Sequence, residues 1–166
     1  MSLSESLQNA LNEQIGTEFE SFYGYLAMAA YFEANSWDGF ASWMSTQSDE
    51  ERTHAMKFYQ YLLDRGCDVD LPAIKAPNAD FGSVLEVFEA SLKQEQHVTS
   101  TINQLYKLAE ESHDYPTVSF LKWFIDEQVE EEKTVSDMIE KLKRAGDNPE
   151  TLLLLDQVAA SRKSAD

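Results

Sequence analysis

Apolar positions recur at alternating three- and four-residue steps through four long stretches of the chain, the period of an amphipathic α-helix. The first stretch runs from about Ser4 to Asn35 and places Leu11, Ile15, Glu18, Phe22, Tyr25, Ala29 and Phe32 on one face. The second, with Ser36 or Asp38 as its N-cap, carries Phe40, Met44, Gln47, Glu51, His54, Phe58 and Tyr61 and closes at Gly66. The third, from about Ser83 to Ser112, carries Leu85, Phe88, Leu92, Glu95, Thr99, Ile102, Tyr106 and Ala109. Asp114 caps the fourth and Pro116 sits in its first turn. Its stripe is Leu121, Phe124, Gln128, Glu131, Val135, Met138 and Leu142, closed by Gly146. Asn148-Pro149 opens a short fifth helix to about Ser161, with leucine at 152 to 155, and the tail SRKSAD is expected to fray.

The connections organise these segments. Only a few residues join the first to the second and the third to the fourth, so each pair predicts an antiparallel hairpin. About 17 residues, including Pro72 and Pro77, separate the second from the third. At ~3.3 Å per extended residue such a segment spans a helix of ~45 Å. The pattern predicts an all-α four-helix bundle with a long crossover and a short fifth C-terminal helix, one domain over residues 1–166. The halves also repeat. Glu18 lies 33 residues before Glu51, which opens Glu51-Arg52-Thr53-His54; Glu95 lies 32 before Glu127, which opens Glu127-Gln128-Val129-Glu130.

Each of the four stripes is interrupted near its middle by a carboxylate: Glu18, Glu51, Glu95 and Glu131. An ionised carboxylate in a bundle core is costly without a partner, and the stripes hold no matching Lys or Arg. A pair of metal cations answers the problem. Glu51 and His54 share a helix face, so they can bind one metal with Glu18. Glu95 and Glu131 would form a second site, with Glu51 bridging and Gln128 as a neutral ligand or water anchor. Oxygen-rich sites with one imidazole favour iron or manganese.

Composition narrows the partners. Net charge is −17, from 30 acidic and 13 basic residues, which argues against nucleic acid and against an anionic membrane surface. No apolar run approaches the ~20 residues of a membrane span. The start MSLSESLQNALNEQ lacks the basic region and apolar core of a signal peptide. A lone cysteine, Cys67, permits no internal disulfide and suits a reducing, cytoplasmic setting.

The segments LNEQIGTEFESFYGYLAMA, DEERTHAMKFYQYL, EQHVTSTINQLYKLA and HDYPTVSFLKWFIDEQVEEEK resemble the bacterial-type non-haem ferritins of the ferritin superfamily, over nearly the whole chain. The resemblance implies a ferroxidase that oxidises Fe(II) to Fe(III) with dioxygen or hydrogen peroxide and stores ferric mineral inside a hollow homo-oligomeric, 24-subunit shell. It implies one iron site at Glu18, Glu51 and His54, and another lined by Glu51, Glu95, Gln128 and Glu131. By the same resemblance Tyr25 stands beside the di-iron centre, and Glu50, Glu127 and Glu130 form a nearby third iron site. Bacterioferritins carry a second His in the fourth-helix motif and a haem-binding Met beside the second-helix Glu. Glu130 and Arg52 stand at those positions, so no haem is expected.

Two other readings compete: a non-catalytic metal buffer of the same architecture, and a purely structural bundle whose acids are solvated. His97, His113 and Glu132 read as surface residues, and Trp123 as a core aromatic.

Overall fold

A computed structural model describes residues 3–163. Five helices follow one another: α1 (Glu5–Ala34), α2 (Asp38–Asp64), α3 (Val84–Glu111), α4 (Tyr115–Ala145) and α5 (Pro149–Ala160). Local chemistry sets most of the ends. The Ser4 hydroxyl accepts from the Leu7 amide at the start of α1. At α3, Ser83 accepts from the Glu86 amide while the Glu86 carboxylate accepts from the Gly82 amide, a reciprocal cap. Asp114 and Asn148 accept from Thr117 and Thr151 to open α4 and α5, each followed by a proline in the first turn. Gly66 and Gly146 take positive φ just past α2 and α4.

The start of α2 differs from expectation. Neither Ser36 nor Asp38 caps it; Trp37 occupies the N-cap position without a side-chain hydrogen bond. Ser36 adopts a left-handed φ of 59° in the tight turn after α1. The missing acceptor comes from far along the chain, because the Phe40 amide donates to Asp156 Oδ1 of α5 at 2.8 Å. Close seating of α5 there requires Gly39, where a Cβ would lie 1.7 Å from the Asp156 carbonyl oxygen.

α1 packs along α2 and α3, and α3 along α4, while α5 caps one end against α2 and α4. No Cα of α2 comes within 8 Å of one in α4. Side chains close that fourth side of the bundle: Phe58 stacks on Phe124 at 4.3 Å, and His54 meets Phe124 edge-on at 5.9 Å. The crossover, residues 67–82, runs past α1, where a Cβ on Gly16 would sit 2.4 Å from the Pro72 ring.

Two apolar clusters fill the interior, one centred on Phe32, Phe40 and Phe88, the other on Leu11, Phe58, Ile102 and Phe124. Between them lies a polar layer. The face of α3 is rotated from the expected stripe: Val84, Val87, Ser91, Val98 and Leu105 are buried with Phe88, Glu95 and Ile102, whereas Leu85, Leu92, Thr99 and Tyr106 are half-buried. Leu152 and Leu155 pack onto the core, and Leu153 and Leu154 are exposed. No helix among the described residues is long and apolar enough to cross a membrane.

Candidate metal centre

The polar layer is built by the residues that interrupt the stripes. Glu18, Glu51 and Glu95 have no solvent exposure, and His54, Gln128 and Glu131 are buried with them. One ligand atom each from Glu18, Glu51 and His54 lies within 4.8 Å of the others. His54 Nδ1 is 3.8 Å from Glu51 Oε1 and 4.0 Å from Glu18 Oε2. Glu18 Oε2, Glu51 Oε2 and both imidazole nitrogens have no hydrogen-bond partner despite complete burial. Folded proteins rarely leave so many polar atoms unmet in one place. A cation is the partner that satisfies carboxylate and imidazole lone pairs together.

Amides hold the acids in position. Gln14 Nε2 donates to Glu18 Oε1 at 2.9 Å, four residues along α1. Gln47 Nε2 donates to Glu51 Oε1 at 3.1 Å and across to Glu131 Oε2 of α4 at 2.8 Å. Gln128 Nε2 donates to Glu95 Oε2 and to the Glu95 carbonyl oxygen, both at 3.2 Å. The Tyr25 hydroxyl donates to Glu95 Oε1 and lies 2.9 Å from Ser91 Oγ.

The electrostatics are those of crowded like charges. Burial, then the Glu51 carboxylate, pushes Glu18 up to about 8. Burial followed by Glu51 also raises Glu131, to about 7, against the pull of Arg162. Glu95 is driven well above the usual carboxylate range by burial, Glu51 and Glu131, and the same burial with Glu95 nearby raises the Tyr25 phenol. Burial alone would lower His54, but Glu51 and Glu18 outweigh it and hold it at about 9. Glu51 thus acts on Glu18, Glu95 and Glu131 alike, as a central carboxylate must.

The second half of the apparent repeat is displaced by one residue. Glu127 is half-buried and Glu130 exposed, while Gln128 and Glu131 point inward. Glu95 precedes Gln128 by 33 residues and Gln128 precedes Glu131 by 3, the spacing of Glu18, Glu51 and His54. Glu127 and Glu130 instead line a hollow with Glu131, Thr134, Arg162 and Lys163, and buried Glu50 accepts from Arg162.

That last contact corrects the picture of a frayed tail. Arg162 is docked, 2.9 Å from Glu50 Oε2, with its guanidinium over Trp43 at 4.7 Å. Residues 164–166 lie outside those described. The stripes do lack Lys and Arg, as expected; the nearby positive charge arrives from the end of α5. Gln14, Gln47 and Arg162 were not assigned from sequence. A glutamine four residues before a stripe carboxylate, twice and 33 residues apart, is the signal that could have found the first two.

A family model described as a ferritin-like domain matches residues 8–145, most of the bundle. The chain belongs to the ferritin family. Curated bacterial non-heme ferritins are similar to it over 160 residues, 96% of both chains: one from Staphylococcus epidermidis at 48% identity and one from Staphylococcus aureus at 44%. Among solved structures, an open-pore ferritin from Archaeoglobus fulgidus superposes with a TM-score of 0.96 at 40% identity, covering 98% of this chain and all of that one. This ferritin's all-α fold, long crossover and short fifth helix agree with the sequence reading.

Proposed function

We propose that this ferritin is an iron-storage ferroxidase whose single domain takes up Fe(II) as substrate in the buried carboxylate layer. Glu18, Glu51 and His54 hold one Fe(II). Glu51 bridges to a second, held with Glu95 and Glu131 and flanked by Gln128. The observation that carries the reading is the convergence of Glu18, Glu51 and His54 with their lone pairs unmet. Family membership supports iron as the cation.

Each Fe(II) gives up one electron. The two electrons, with two protons, reduce dioxygen to hydrogen peroxide, or hydrogen peroxide to two waters. Binding itself releases protons, because Glu18, Glu131 and His54 are held above their ordinary values and bind metal deprotonated. Tyr25, bonded to Glu95, stands next to the reacting pair. Ferric ions leave past Glu50, Glu127 and Glu130 toward mineral enclosed by a homo-oligomeric, 24-subunit shell in the cytoplasm.

Anaerobic Fe(II) addition followed by air tests this. The parent should bind about two Fe(II) per chain and oxidise them in a fast phase. Glu51→Ala and His54→Ala should keep the helical fold and slow that phase at least about 100-fold. Both variants oxidising at the parent rate would overturn the assignment; stoichiometric binding without fast oxidation would identify a buffer.

A further inference from the structure

α5 ends at Ala160, and two residues later Arg162 turns back into the bundle. Its side chain keeps 12% of its exposure, which is uncommon for an arginine beyond the last helix. Nη2 lies 2.9 Å from Glu50 Oε2 on α2 and 3.9 Å from Glu131 Oε2 on α4. The backbones of these two helices do not approach each other. The guanidinium therefore places one positive charge between two buried carboxylates on the side of the bundle that only side chains close.

The clamp is incomplete. Nη1 is buried without a hydrogen-bond partner, and the Glu131 contact is too long for a hydrogen bond. An arginine placed solely to fasten α5 would present its planar fork to one carboxylate, as Arg65 does to Asp114 through two 2.8 Å bonds. Arg162 is held through one nitrogen and by the face of Trp43. It neutralises the pair without saturating it.

We propose that Arg162 is a tethered counter-ion that stands in for a metal cation between Glu50 and Glu131, so that iron passing from the buried centre toward Glu50 must displace its guanidinium. The inference rests on the iron-site reading above and adds a control to it. Arg162 is a positioning residue. In the metal-free chain it keeps Glu50 and Glu131 apart in charge. On loading it swings off and opens the hollow lined by Glu127, Glu130 and Thr134. Competition has a sign that fastening lacks: deleting a competitor tightens metal binding, whereas deleting a fastener loosens or disorders the site.

Zn(II), which is redox-inert, is the probe. The full assembled chain is titrated by calorimetry as parent, Arg162→Gln, Glu50→Gln, the Glu50→Gln/Arg162→Gln double variant and His54→Ala. Arg162→Gln should tighten the Glu50-dependent class at least about tenfold. It should leave the His54-dependent class within about twofold, and the double variant should lose the gain. In a Trp37→Phe/Trp123→Phe background Trp43 is the sole tryptophan. Its emission should shift when Zn(II) fills the Glu50-dependent class, and the same filling should leave it still once Arg162 is glutamine. Unchanged or weaker Glu50-dependent binding in Arg162→Gln overturns the inference and leaves the iron-site reading standing. So does a Trp43 signal indifferent to Zn(II). Absence of any His54-dependent class in the parent overturns both.

Discussion

Two polar clusters join α2 to α4, one half-buried and one fully buried, and they are built on opposite plans. At the end of the bundle, Arg65 Nη1 and Nη2 each lie 2.8 Å from an Asp114 oxygen, and Nη1 also reaches the Tyr61 hydroxyl at 2.6 Å. Tyr61 and Thr117 complete the network at 2.8 Å, Asp114 caps α4, and the Tyr61 ring stacks on Phe120 at 4.0 Å. Opposite charges meet, and no polar atom of these four side chains is left buried and unmet. In the middle of the bundle, Glu18, Glu51, Glu95 and Glu131 crowd like charges around His54 and leave lone pairs without partners. The first cluster is finished by the chain itself. The second is complete only with cations added from outside. Both clusters draw charge at least partly out of water, which alone says little about function; the depth of burial, the sign of the neighbours and the state of the lone pairs separate them.

The contrast extends to pH, where the largest effect is expected. Folded-state values of about 8 for Glu18, about 7 for Glu131 and about 9 for His54 all exceed the ordinary 4.5 and 6.5. Groups raised on folding contribute stability that is fully present below the unfolded value and lost as pH rises through the folded one. Asp114, held far below its ordinary 3.8 by Arg65, contributes stability that is lost as pH falls below that value. Chelator-treated protein should therefore be most stable near pH 5 and lose several kcal/mol between about pH 5 and 9. Saturating Zn(II) should flatten the alkaline fall. Denaturant midpoints across pH measure this; a metal-free midpoint that rises between pH 6 and 9 would erase the distinction between the clusters.

Next in size is the cost of breaking the finished cluster. Arg65→Met leaves Asp114 mostly buried without its cation, a loss of about 3 kcal/mol. In a chain of this length that lowers the melting temperature by roughly 6–12 °C. Fast iron oxidation, measured well below the transition, should continue, because the site lies several turns along α2. A shift of less than about 2 °C would mean that the Arg65–Asp114 fork holds nothing together.

The two clusters were not equally legible. The acidic one could be read from sequence because a carboxylate on an apolar face violates the pattern, and four such violations at one depth reinforce one another. Asp114 and Pro116 announced a helix start, but nothing marked Arg65 as the partner of Asp114 49 residues away. Long-range contacts were hidden for a common reason. The Asp156 cap of α2 and the docking of Arg162 both depend on where α5 lands, which local propensity does not encode. The half-repeat at Glu127 misled by one residue, because four acids in the run 127–132 carry similar patterns and only packing turns Gln128 and Glu131 inward. The rotated face of α3 has the same origin. Valine, leucine and serine alternate there closely enough for two neighbouring stripes to fit the period.

The smallest expected effect is the most pointed comparison. Glu18→Gln keeps the shape of the side chain, and the carboxamide oxygen can still accept from Gln14 Nε2. In the metal-free chain the substitution removes a charge that burial and Glu51 oppose more strongly than His54 favours. Near pH 4 the carboxyl is largely protonated in the folded and the unfolded chain alike, and the variant should match the parent. As pH rises from the ordinary 4.5 to about 8 the unfolded parent ionises while burial keeps the folded carboxyl protonated, a proton uptake on folding that the variant is spared, so Glu18→Gln should become the more stable chain by at least about 1 kcal/mol. The metal-dependent gain should shrink in return, since one anionic ligand is gone. Removing one charge from the Arg65–Asp114 pair costs stability; removing one from the acidic layer should add it. Paired melting curves at pH 4 and pH 9 with chelator, and at pH 9 with Zn(II), decide the matter. A metal-free Glu18→Gln chain that melts clearly below its parent at pH 9 would show that the acids are held by contacts internal to the protein and do not await cations.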